Sequence, residues 1–286
     1  MKYAYFNGEI IPEEEVKINF NDLGFLRGYA VFDAMRTVSG KPFLLKAHFK
    51  RLQNSARLLN IPLEISGENF VGAVEQLLNK NKEWQKEDGE KELVIKTVVS
   101  GGVSENGIRK GGEPTVLMTI GKLSAVRPAK DLYRKGCKVL PVEFQRIIPE
   151  AKTTCYLTAI AHQEEKEKIG ADEIVYYWQE ELLEGATSNI FLVKKGVVYT
   201  PEKNILIGTM RDLAIKILRD KGIKVVKTRL KFTELFEADE VFLTGTFKGV
   251  LPVRQINDKM VGGGEIGKIT DRLQREIAYL VKEEVL

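Results

Sequence analysis

Alternating apolar and polar positions predict two β-hairpins near the start of the chain. Asn7-Gly8 separates the run YAYF from EII, and both residues tolerate a positive φ, which is typical of a tight hairpin turn. A second hairpin pairs VFDAMRTV with PFLL across residues 39–41. Two longer strands are expected at 92–100 and 114–120, on either side of a glycine-rich loop. The first third of the chain therefore mixes these strands with the helices described next.

Apolar residues spaced three and four positions apart predict the helices. One helix begins near Leu45 and is ended by Asn60 and Pro62, and another covers 68–80. His48 lies on the apolar face of the first helix, where a buried, hydrogen-bonded histidine is the commoner interpretation and catalysis the alternative. Three more helices are expected farther along, near 155–169, from about Met210 to Lys221, and around 266–280.

Residues 121–128, GKLSAVRP, have no periodicity and are interpreted as a connector between two lobes. Strands near 136–143 and 240–244 follow it, as do the alternating runs DEIVYYWQ, NIFLV and VVYT. Because helices and strands interleave without a regular βαβ rhythm, we expect α/β or α+β lobes. The predicted division is a small N-terminal domain at 1–120, a linker at 121–128 and a larger domain at 129–286.

Composition and charge narrow the class of protein. The 286 residues are 43% hydrophobic and 29% charged, as in globular proteins. A net charge of +4, spread along the chain, argues against a nucleic-acid surface. We expect no membrane segment, no secretory signal and, with two cysteines and two histidines, neither a disulfide framework nor a metal site. These features predict a soluble cytoplasmic enzyme or binding protein.

Two segments are candidates for binding a phosphate. Gly208 and Thr209 precede the helix predicted near Met210, and the start of a helix presents N–H groups and partial positive charge. The run 244–246, TGT, ends an apolar strand with two hydroxyls and a small residue. A plain capped helix start and an ordinary turn are the commoner meanings of these patterns.

Two further residues, Lys152 and Glu184, are candidates for a catalytic role. Lys152 lies among apolar and small residues in IIPEAKTTCYL, where an amine loses its proton more easily and can form a Schiff base. An ordinary solvated lysine is the alternative. Glu184, in LLEGATSN, could simply open a hairpin. The common dinucleotide, P-loop and serine-hydrolase motifs are absent from the sequence.

Taken in order, these segments resemble the class IV aminotransferases, the pyridoxal-phosphate enzymes of fold type IV. The resemblance runs nearly end to end and implies a two-domain α/β fold with a barrel-like C-terminal domain, as well as a homodimer. The motifs that carry it are His48-x-x-Arg51-Leu52, Lys152, Glu184-Gly185-x-x-x-Asn189, Gly208-x-x-Arg211-Asp212 and Thr244-Gly245-Thr246.

The resemblance implies a role for each matching residue. Lys152 is expected to carry pyridoxal phosphate as a Schiff base and to move the substrate proton, and Glu184 to pair with the pyridine nitrogen. The other implied cofactor contacts are Arg51, the amides of Thr209 and Met210 and the hydroxyl of Thr246 on the phosphate, Leu206 on the ring face, and Tyr156 on the ring hydroxyl. Tyr156 is one residue nearer the lysine than its counterpart in branched-chain enzymes. The threonine that many relatives have at position 210 is Met210 here.

Departures from the family patterns bear on the substrate. Asp33 and Ala34 replace the Glu-Gly pair of branched-chain enzymes and the threonines of aminodeoxychorismate lyase, and no Arg-x-His pair follows Ser100 as in familiar D-amino-acid enzymes. Arg27 resembles the carboxylate-binding arginine of atypical D-amino-acid enzymes, with Tyr29 beside it; a structural or dimer-contact salt bridge is the alternative. Arg109 is a second candidate.

We therefore expect ping-pong transfer of an amino group between an amino acid and a 2-oxo acid such as 2-oxoglutarate. D-amino acids, for example D-glutamate or D-alanine, are favoured as donors. Branched-chain L-amino acids are the alternative, and aminodeoxychorismate lyase chemistry or a non-catalytic homologue is less favoured.

Overall fold

The computed structural model describes residues 1–283, and the chain divides into two compact units. The first unit comprises Met1–Arg127 and Ala151–Cys155, and the second Pro128–Glu150 and Tyr156–Leu286. The short segment around Lys152 is thus grouped with the first unit, although it follows the connector in sequence. The predicted domain division into 1–120, 121–128 and 129–286 stays a prediction. Local periodicity does not reveal that a segment late in the sequence, such as Ala151–Cys155, packs with the first unit.

The first unit is built on an antiparallel six-stranded sheet with the order β2-β1-β6-β5-β3-β4. Its strands are β1 (Tyr3–Phe6), β2 (Glu9–Pro12), β3 (Ala30–Val38), β4 (Lys41–Pro42), β5 (Leu93–Ser100) and β6 (Val116–Lys122). Its helices are α1 (Leu23–Arg27), α2 (Leu45–Leu58), α3 (Gly67–Lys80) and α4 (Lys82–Asp88), and a 3-10 turn covers Glu13–Glu15.

The apolar faces of α2 and α3 supply the core of this unit. Leu52 of α2 and Phe70 and Leu77 of α3 belong to one buried cluster with Met35 and Ile95 of the sheet. Burial of such side chains contributes about 1.5–3 kcal/mol each. Both predicted helices and the strands at 92–100 and 114–120 are confirmed to within two residues.

Both predicted hairpins form, but the second is shorter than expected. Asn7 and Gly8 have φ values of 47° and 104°, which confirms the first turn. In the second hairpin only Lys41–Pro42 pair with β3, because Leu44 takes a left-handed conformation with φ 54° at the start of α2. The remainder of PFLL therefore leads into the helix.

The second unit contains a mixed nine-stranded sheet that curls into a half-barrel. The order is β12-β11-β10-β13-β14-β7-β8-β9 with β15 beside β14, and the pairs β11/β12, β14/β7 and β7/β8 are parallel. The strands are β7 (Cys137–Glu143), β8 (Glu173–Trp178), β9 (Glu181–Gly185), β10 (Asn189–Lys194), β11 (Val197–Pro201), β12 (Val225–Thr228), β13 (Glu240–Gly245), β14 (Gly249–Ile256) and β15 (Lys259–Met260).

The second unit contains five helices in the described residues, and one predicted helix is divided into two. They are α5 (Leu132–Lys135), α6 (Leu157–Ala161), α7 (Gln163–Lys168), α8 (Thr209–Asp220) and α9 (Lys268–Glu283), with 3-10 turns at Phe232–Glu237 and Gly262–Gly264. The single helix expected at 155–169 is wrong, since it breaks at His162, whose Nδ1 lies 2.8 Å from the Thr158 carbonyl oxygen. The helices predicted near 210–221 and 266–280 are confirmed.

Candidate active site

A buried carboxylate on β3 organises the polar residues of the first unit. Asp33 is 3% exposed and accepts hydrogen bonds from Arg51 Nε at 2.7 Å and Arg51 Nη2 at 2.9 Å, one to each oxygen. His48 Nδ1 lies 2.7 Å from Asp33 Oδ1. Burial would raise the pKa of Asp33, but Arg51 and His48 outweigh it and hold that pKa well below its usual range. Asp33 is therefore ionised, and it fixes the guanidinium plane of Arg51.

Helix α2 supplies these partners because His48, Arg51 and Ser55 recur at helical spacing on one face. Burial lowers the pKa of His48, and the positive charges of Arg51 and Lys152 lower it further, against the opposing effect of Asp33. The imidazole is thus neutral at pH 7 and donates from Nδ1 to Asp33. A buried, hydrogen-bonded histidine was the commoner interpretation of this position, and it is confirmed.

Lys152 lies on a short extended segment beside the start of β3. Phe32 N–H donates to the Lys152 carbonyl at 2.9 Å, and Thr154 N–H donates to the Ala30 carbonyl at 3.1 Å. The ammonium of Lys152 lies 4.5 Å from the centroid of the Phe32 ring. These contacts attach the backbone of Lys152 to the same strand that carries Asp33.

Ser55 links the Lys152 backbone to the helix that carries Arg51. Its hydroxyl accepts a hydrogen bond from Lys152 N–H at 3.0 Å and donates to the Arg51 carbonyl at 2.9 Å. Ser55 is fully buried. Sequence reasoning did not select it, and the available signal was a hydroxyl on the otherwise apolar face of α2.

A second buried carboxylate organises the second unit. Glu184, at the end of β9, is 5% exposed; its Oε1 accepts from Arg146 Nε at 2.9 Å and from Arg146 Nη2 at 2.7 Å. Its other oxygen accepts from Leu206 N–H at 3.0 Å, and Arg146 also donates to the Pro149 carbonyl. A charge-assisted pair of this kind favours the ionised carboxylate. Arg146 was missed from the sequence, where an arginine between Gln145 and two isoleucines was the only signal.

The segment before α8 packs against Asn189, the first residue of β10. Asn189 Nδ2 donates to the Leu206 carbonyl at 2.7 Å, and a Cβ atom on Gly208 would overlap Asn189 Oδ1. A larger residue at position 208 would therefore force the Asn189 side chain to move. The next residues, Thr209 and Met210, are buried, and Gly208 at the N-cap has no side chain with which to cap the helix. The partial positive charge at the start of α8 favours an anion there.

The side chain of Arg211 connects the start of α8 to the end of β11. This side chain is fully buried, and its Nη2 donates to the Pro201 carbonyl at 2.7 Å, at the end of β11. Burial lowers the pKa of Arg211, against the raising effect of nearby carboxylates. The guanidinium nevertheless stays charged at pH 7. Arg211 of the G-x-x-R-D motif therefore fixes the orientation of the helix start.

The TGT segment lies at the end of β13 and the turn that follows. Thr244 Oγ1 is buried without a hydrogen-bond partner in residues 1–283, and Thr246 is half-buried in the turn. An unsatisfied buried hydroxyl is unusual and commonly marks a missing ligand or water. Tyr156, also half-buried, precedes α6 and interacts electrostatically with Tyr176, whose pKa is raised mainly by burial.

The candidate substrate residues belong to the first unit. Arg27, at the end of α1, is exposed and its Nε donates to the Gly107 carbonyl at 3.0 Å. The hydroxyl of Tyr29 donates to the Leu59 carbonyl. Arg109 is exposed, and its carbonyl accepts a hydrogen bond from Ser104 Oγ at 2.7 Å.

The residues present fit a phosphorylated pyridine. The first unit supplies a lysine whose backbone is anchored and an arginine that a carboxylate orients, and the second unit supplies a buried carboxylate paired with an arginine, the start of α8 and an unsatisfied buried hydroxyl. The first unit holds Arg27, Tyr29, Arg51 and Lys152; the second holds Tyr156, Glu184, Leu206, Thr209, Met210 and Thr246. Their individual roles stay predictions.

Comparison with known proteins identifies relatives over almost the whole chain. A D-alanine aminotransferase of Staphylococcus epidermidis is 28% identical, over 96% of this chain and 96% of that protein. A branched-chain-amino-acid aminotransferase of Pseudomonas aeruginosa is 27% identical, over 97% of this chain and 92% of that protein. The crystal structure of a T.th. branched-chain amino acid aminotransferase with pyridoxamine 5'-phosphate is 27% identical and has a TM-score of 0.86, covering 98% of this chain and 94% of that chain.

The family model described as amino-transferase class IV matches residues 30–256. This match confirms the resemblance drawn from the motifs, and the structural likeness confirms the predicted two-domain fold class with its barrel-like C-terminal part. Because the match covers well over half of the chain, this protein belongs to the class IV aminotransferases, a family of pyridoxal-phosphate-dependent transaminases.

Proposed function

We propose that this enzyme transfers the amino group of a D-amino acid, such as D-glutamate or D-alanine, to a 2-oxo acid such as 2-oxoglutarate. Relatives named for both D-alanine and branched-chain amino acids are about equally similar, so the choice between them rests on the site. The observation that carries the proposal is the state of Arg27. Its guanidinium is held by the carbonyls of Gly107 and Leu26, rather than by a carboxylate in the described residues.

An arginine held in this way is preorganised for an external carboxylate. Backbone carbonyls fix its orientation without neutralising its charge, and a guanidinium binds a carboxylate through two parallel hydrogen bonds. A salt bridge within the first unit, one of the alternatives for this residue, has no support among the described contacts. Arg27 and Tyr29 are therefore our candidates for binding the substrate.

The cofactor we propose is pyridoxal phosphate. Lys152 would bind it covalently and Glu184 would face the pyridine nitrogen. The remaining contacts are Arg51, the amides of Thr209 and Met210 and the hydroxyl of Thr246 for the phosphate, Leu206 for the ring face, and Tyr156 for the ring hydroxyl. When bound, this cofactor supplies an electron sink for the substrate's α carbon.

The protein's own contribution is to orient groups and to move one proton. Lys152 Nζ would take the proton from the substrate's α carbon and pass it to the cofactor carbon that receives the amino group, and in the second half-reaction it would move a proton in the opposite direction. Ser55 and β3 hold the backbone of Lys152, so its long side chain pivots from a fixed point. Asp33 orients Arg51, and Arg146 keeps Glu184 ionised. These two carboxylates thus fix charges that would otherwise reorganise during the reaction.

Branched-chain L-amino acids are the second candidate. Relatives with that name cover the chain as fully as the D-alanine enzymes, and the crystal structure with pyridoxamine 5'-phosphate shares the fold. Against this, Asp33 and Ala34 occupy the positions of the Glu-Gly pair expected in branched-chain enzymes.

The visible spectrum of the purified enzyme separates the two candidates. We expect a yellow band that bleaches on addition of D-glutamate and stays unchanged with L-leucine. Bleaching with L-leucine alone would transfer the enzyme to the branched-chain group. The absence of any band after reconstitution with pyridoxal phosphate would contradict the proposed cofactor.

Arg27→Ala tests the carboxylate assignment in the same assay. Loss of a charge-assisted hydrogen-bonded pair, worth about 1.5–3 kcal/mol, predicts a KM for D-glutamate raised about tenfold or more, with the larger effect on dicarboxylic substrates. Arg57→Ala, which removes an exposed arginine from α2 of the same unit, is the matched control. Equal changes in both variants, or none in Arg27→Ala, would return Arg27 to a structural role.

We also propose a homodimer. Each unit exposes large apolar side chains: in the second unit, Ile147, Leu157 and Ile160 are 68–89% exposed. In the first unit, Phe20, Phe25 and Ile108 are 68–79% exposed. Large apolar side chains exposed in groups are typical of association sites. Sedimentation equilibrium is expected to give a mass of about twice that of one chain, and a mass of 32.3 kDa would refute the dimer.

The expected location and partners complete the proposal. No helix within residues 1–283 has both the length and the apolar character needed to cross a bilayer. The cytoplasmic location and the lack of a nucleic-acid partner stay predictions.

A further inference from the structure

A second buried ion pair in the C-terminal unit lies outside the residues assigned above. Glu173 begins β8, and Lys248 lies in the turn between β13 and β14; their side chains are 10% and 12% exposed. Lys248 Nζ contacts Glu173 Oε2 directly. Burial would raise the pKa of Glu173, but Lys248 outweighs it and lowers that pKa below its ordinary value. The Glu173 carboxylate is therefore ionised at neutral pH.

Thr187 completes this cluster. Its hydroxyl donates to Glu173 Oε2 at 2.9 Å and accepts a hydrogen bond from Lys248 Nζ at 2.8 Å. The other Glu173 oxygen accepts from Ile174 N–H at 3.0 Å. A single hydroxyl thus uses both its donor and its acceptor to join the two charged groups.

The cluster connects two turns that are far apart in sequence. Thr187 belongs to the turn that follows Glu184, and Lys248 comes two residues after Thr246. A Cβ atom on Gly245 would lie 3.1 Å from Lys248 Cγ and 3.1 Å from the Thr187 carbonyl oxygen. The two turns are therefore packed against each other, with the ion pair beside the contact.

The buried Glu173–Lys248 pair is better suited to fixing the spacing of the two turns than to stabilising the fold. Removing each ion from water is energetically costly, and the attraction between the two recovers that cost only when the geometry is good. Apolar residues of the same volume are often equally stabilising. A directional three-residue cluster, in contrast, sets the spacing between two turns that apolar contacts would leave adjustable.

We propose that Glu173, Thr187 and Lys248 are positioning residues that hold the turn carrying Thr246 at the spacing from Glu184 that a phosphorylated pyridine requires. This inference rests on the proposed function, since it takes Thr246 as a phosphate contact and Glu184 as the pyridine partner. It has a specific consequence. Disturbing the cluster should weaken recognition of the phosphate more than recognition of the pyridine ring.

Binding of two compounds to the apoenzyme tests this consequence. Pyridoxal phosphate and pyridoxal differ only in the phosphate, and their dissociation constants are measured by absorbance titration of wild type and Lys248→Met. We expect the Kd of pyridoxal phosphate to rise about tenfold or more, as for loss of one well-placed charged hydrogen bond, and the Kd of pyridoxal to change less than about twofold. Lys216→Met, which breaks the exposed Lys216–Asp220 pair of α8, is the control and should change neither.

The remaining outcomes each decide a question. Equal weakening of both compounds, or no weakening, would overturn the positioning role while leaving the proposed cofactor intact. Failure of wild type to bind either compound would instead refute the proposed function and this inference with it. Should Lys248→Met fail to fold by circular dichroism, Thr187→Val carries the same test without leaving a buried charge unpaired. It is expected to weaken pyridoxal phosphate severalfold and pyridoxal not at all.

Discussion

Lys152→Ala is expected to abolish transamination while leaving the fold intact. The substitution removes both the amine proposed to bind the cofactor and the base that moves the α proton, so turnover should fall by roughly 10⁴-fold or more. The fold should survive, since the segment is attached through the backbone atoms of Phe32, Ala30 and Lys152 itself, which alanine retains. Rates of 2-oxo acid formation and the thermal unfolding midpoint measure the two effects separately.

Lys96→Ala is a matched control for this loss. Lys96 lies on β5 with its ammonium 5.4 Å from the centroid of the same Phe32 ring that Lys152 contacts at 4.5 Å. Its removal changes the local charge equally but takes away no reacting group, so activity should remain near that of wild type. Retained turnover in Lys152→Ala would contradict the catalytic assignment. Comparable loss in both variants would show that charge at the Phe32 ring, rather than the Lys152 amine, is required.

The sequence indicated local structure well wherever a short-range rule governs it. Asn7-Gly8 specifies its hairpin because both residues tolerate positive φ, and the apolar spacing in α3 specifies which face is buried. The helix expected at 155–169 failed at His162, because the pattern of apolar positions continues while the backbone hydrogen bonding does not. Periodicity reports which residues face the core, and it is insensitive to such interruptions.

The candidate site shows the same limit in another form. Motifs predicted Lys152, Arg51 and Glu184, each of which stands in a recognisable run. The partners that orient them are distant in sequence: Ser55 contacts a residue 97 positions away, and Arg146 contacts one 38 positions away. An arginine or serine of this kind has no local signature, since its role depends on a contact that only the folded chain creates. Sequence therefore indicated the reacting groups and left out the residues that hold them.

Each unit uses a buried ion pair to orient one charged side chain of the candidate site. In the first, Asp33 is the buried anion that orients the cation Arg51; in the second, Arg146 is the cation that orients the anion Glu184. Each pair leaves one charged group with a fixed direction. Buried pairs contribute little net stability, but breaking one partner leaves an uncompensated charge that costs about 3–5 kcal/mol. Activity and stability are therefore coupled at these positions, and experiments on them must separate the two.

Glu184→Gln is expected to lower kcat by about 10²–10³-fold, the range typical of losing one preorganised electrostatic contact to a reacting group. Glutamine retains the size and one oxygen for Leu206 N–H, but it removes the negative charge proposed to face the pyridine nitrogen. The same change leaves Arg146 without its carboxylate, so the free energy of unfolding should also fall. Steady-state kinetics and urea denaturation at pH 7 measure the two consequences.

A double variant distinguishes loss of catalytic charge from loss of stability. Arg146→Met with Glu184→Gln removes both charges, and should recover most of the unfolding free energy lost in Glu184→Gln. If Glu184 acts through its charge on the cofactor, kcat stays low in the double variant even though the fold is restored. Recovery of kcat along with stability would show that Glu184 serves only to neutralise Arg146. Glu181→Gln, which breaks the ion pair with Arg229 on the same strand as Glu184, should leave kcat unchanged and so excludes a general effect of removing charge from β9.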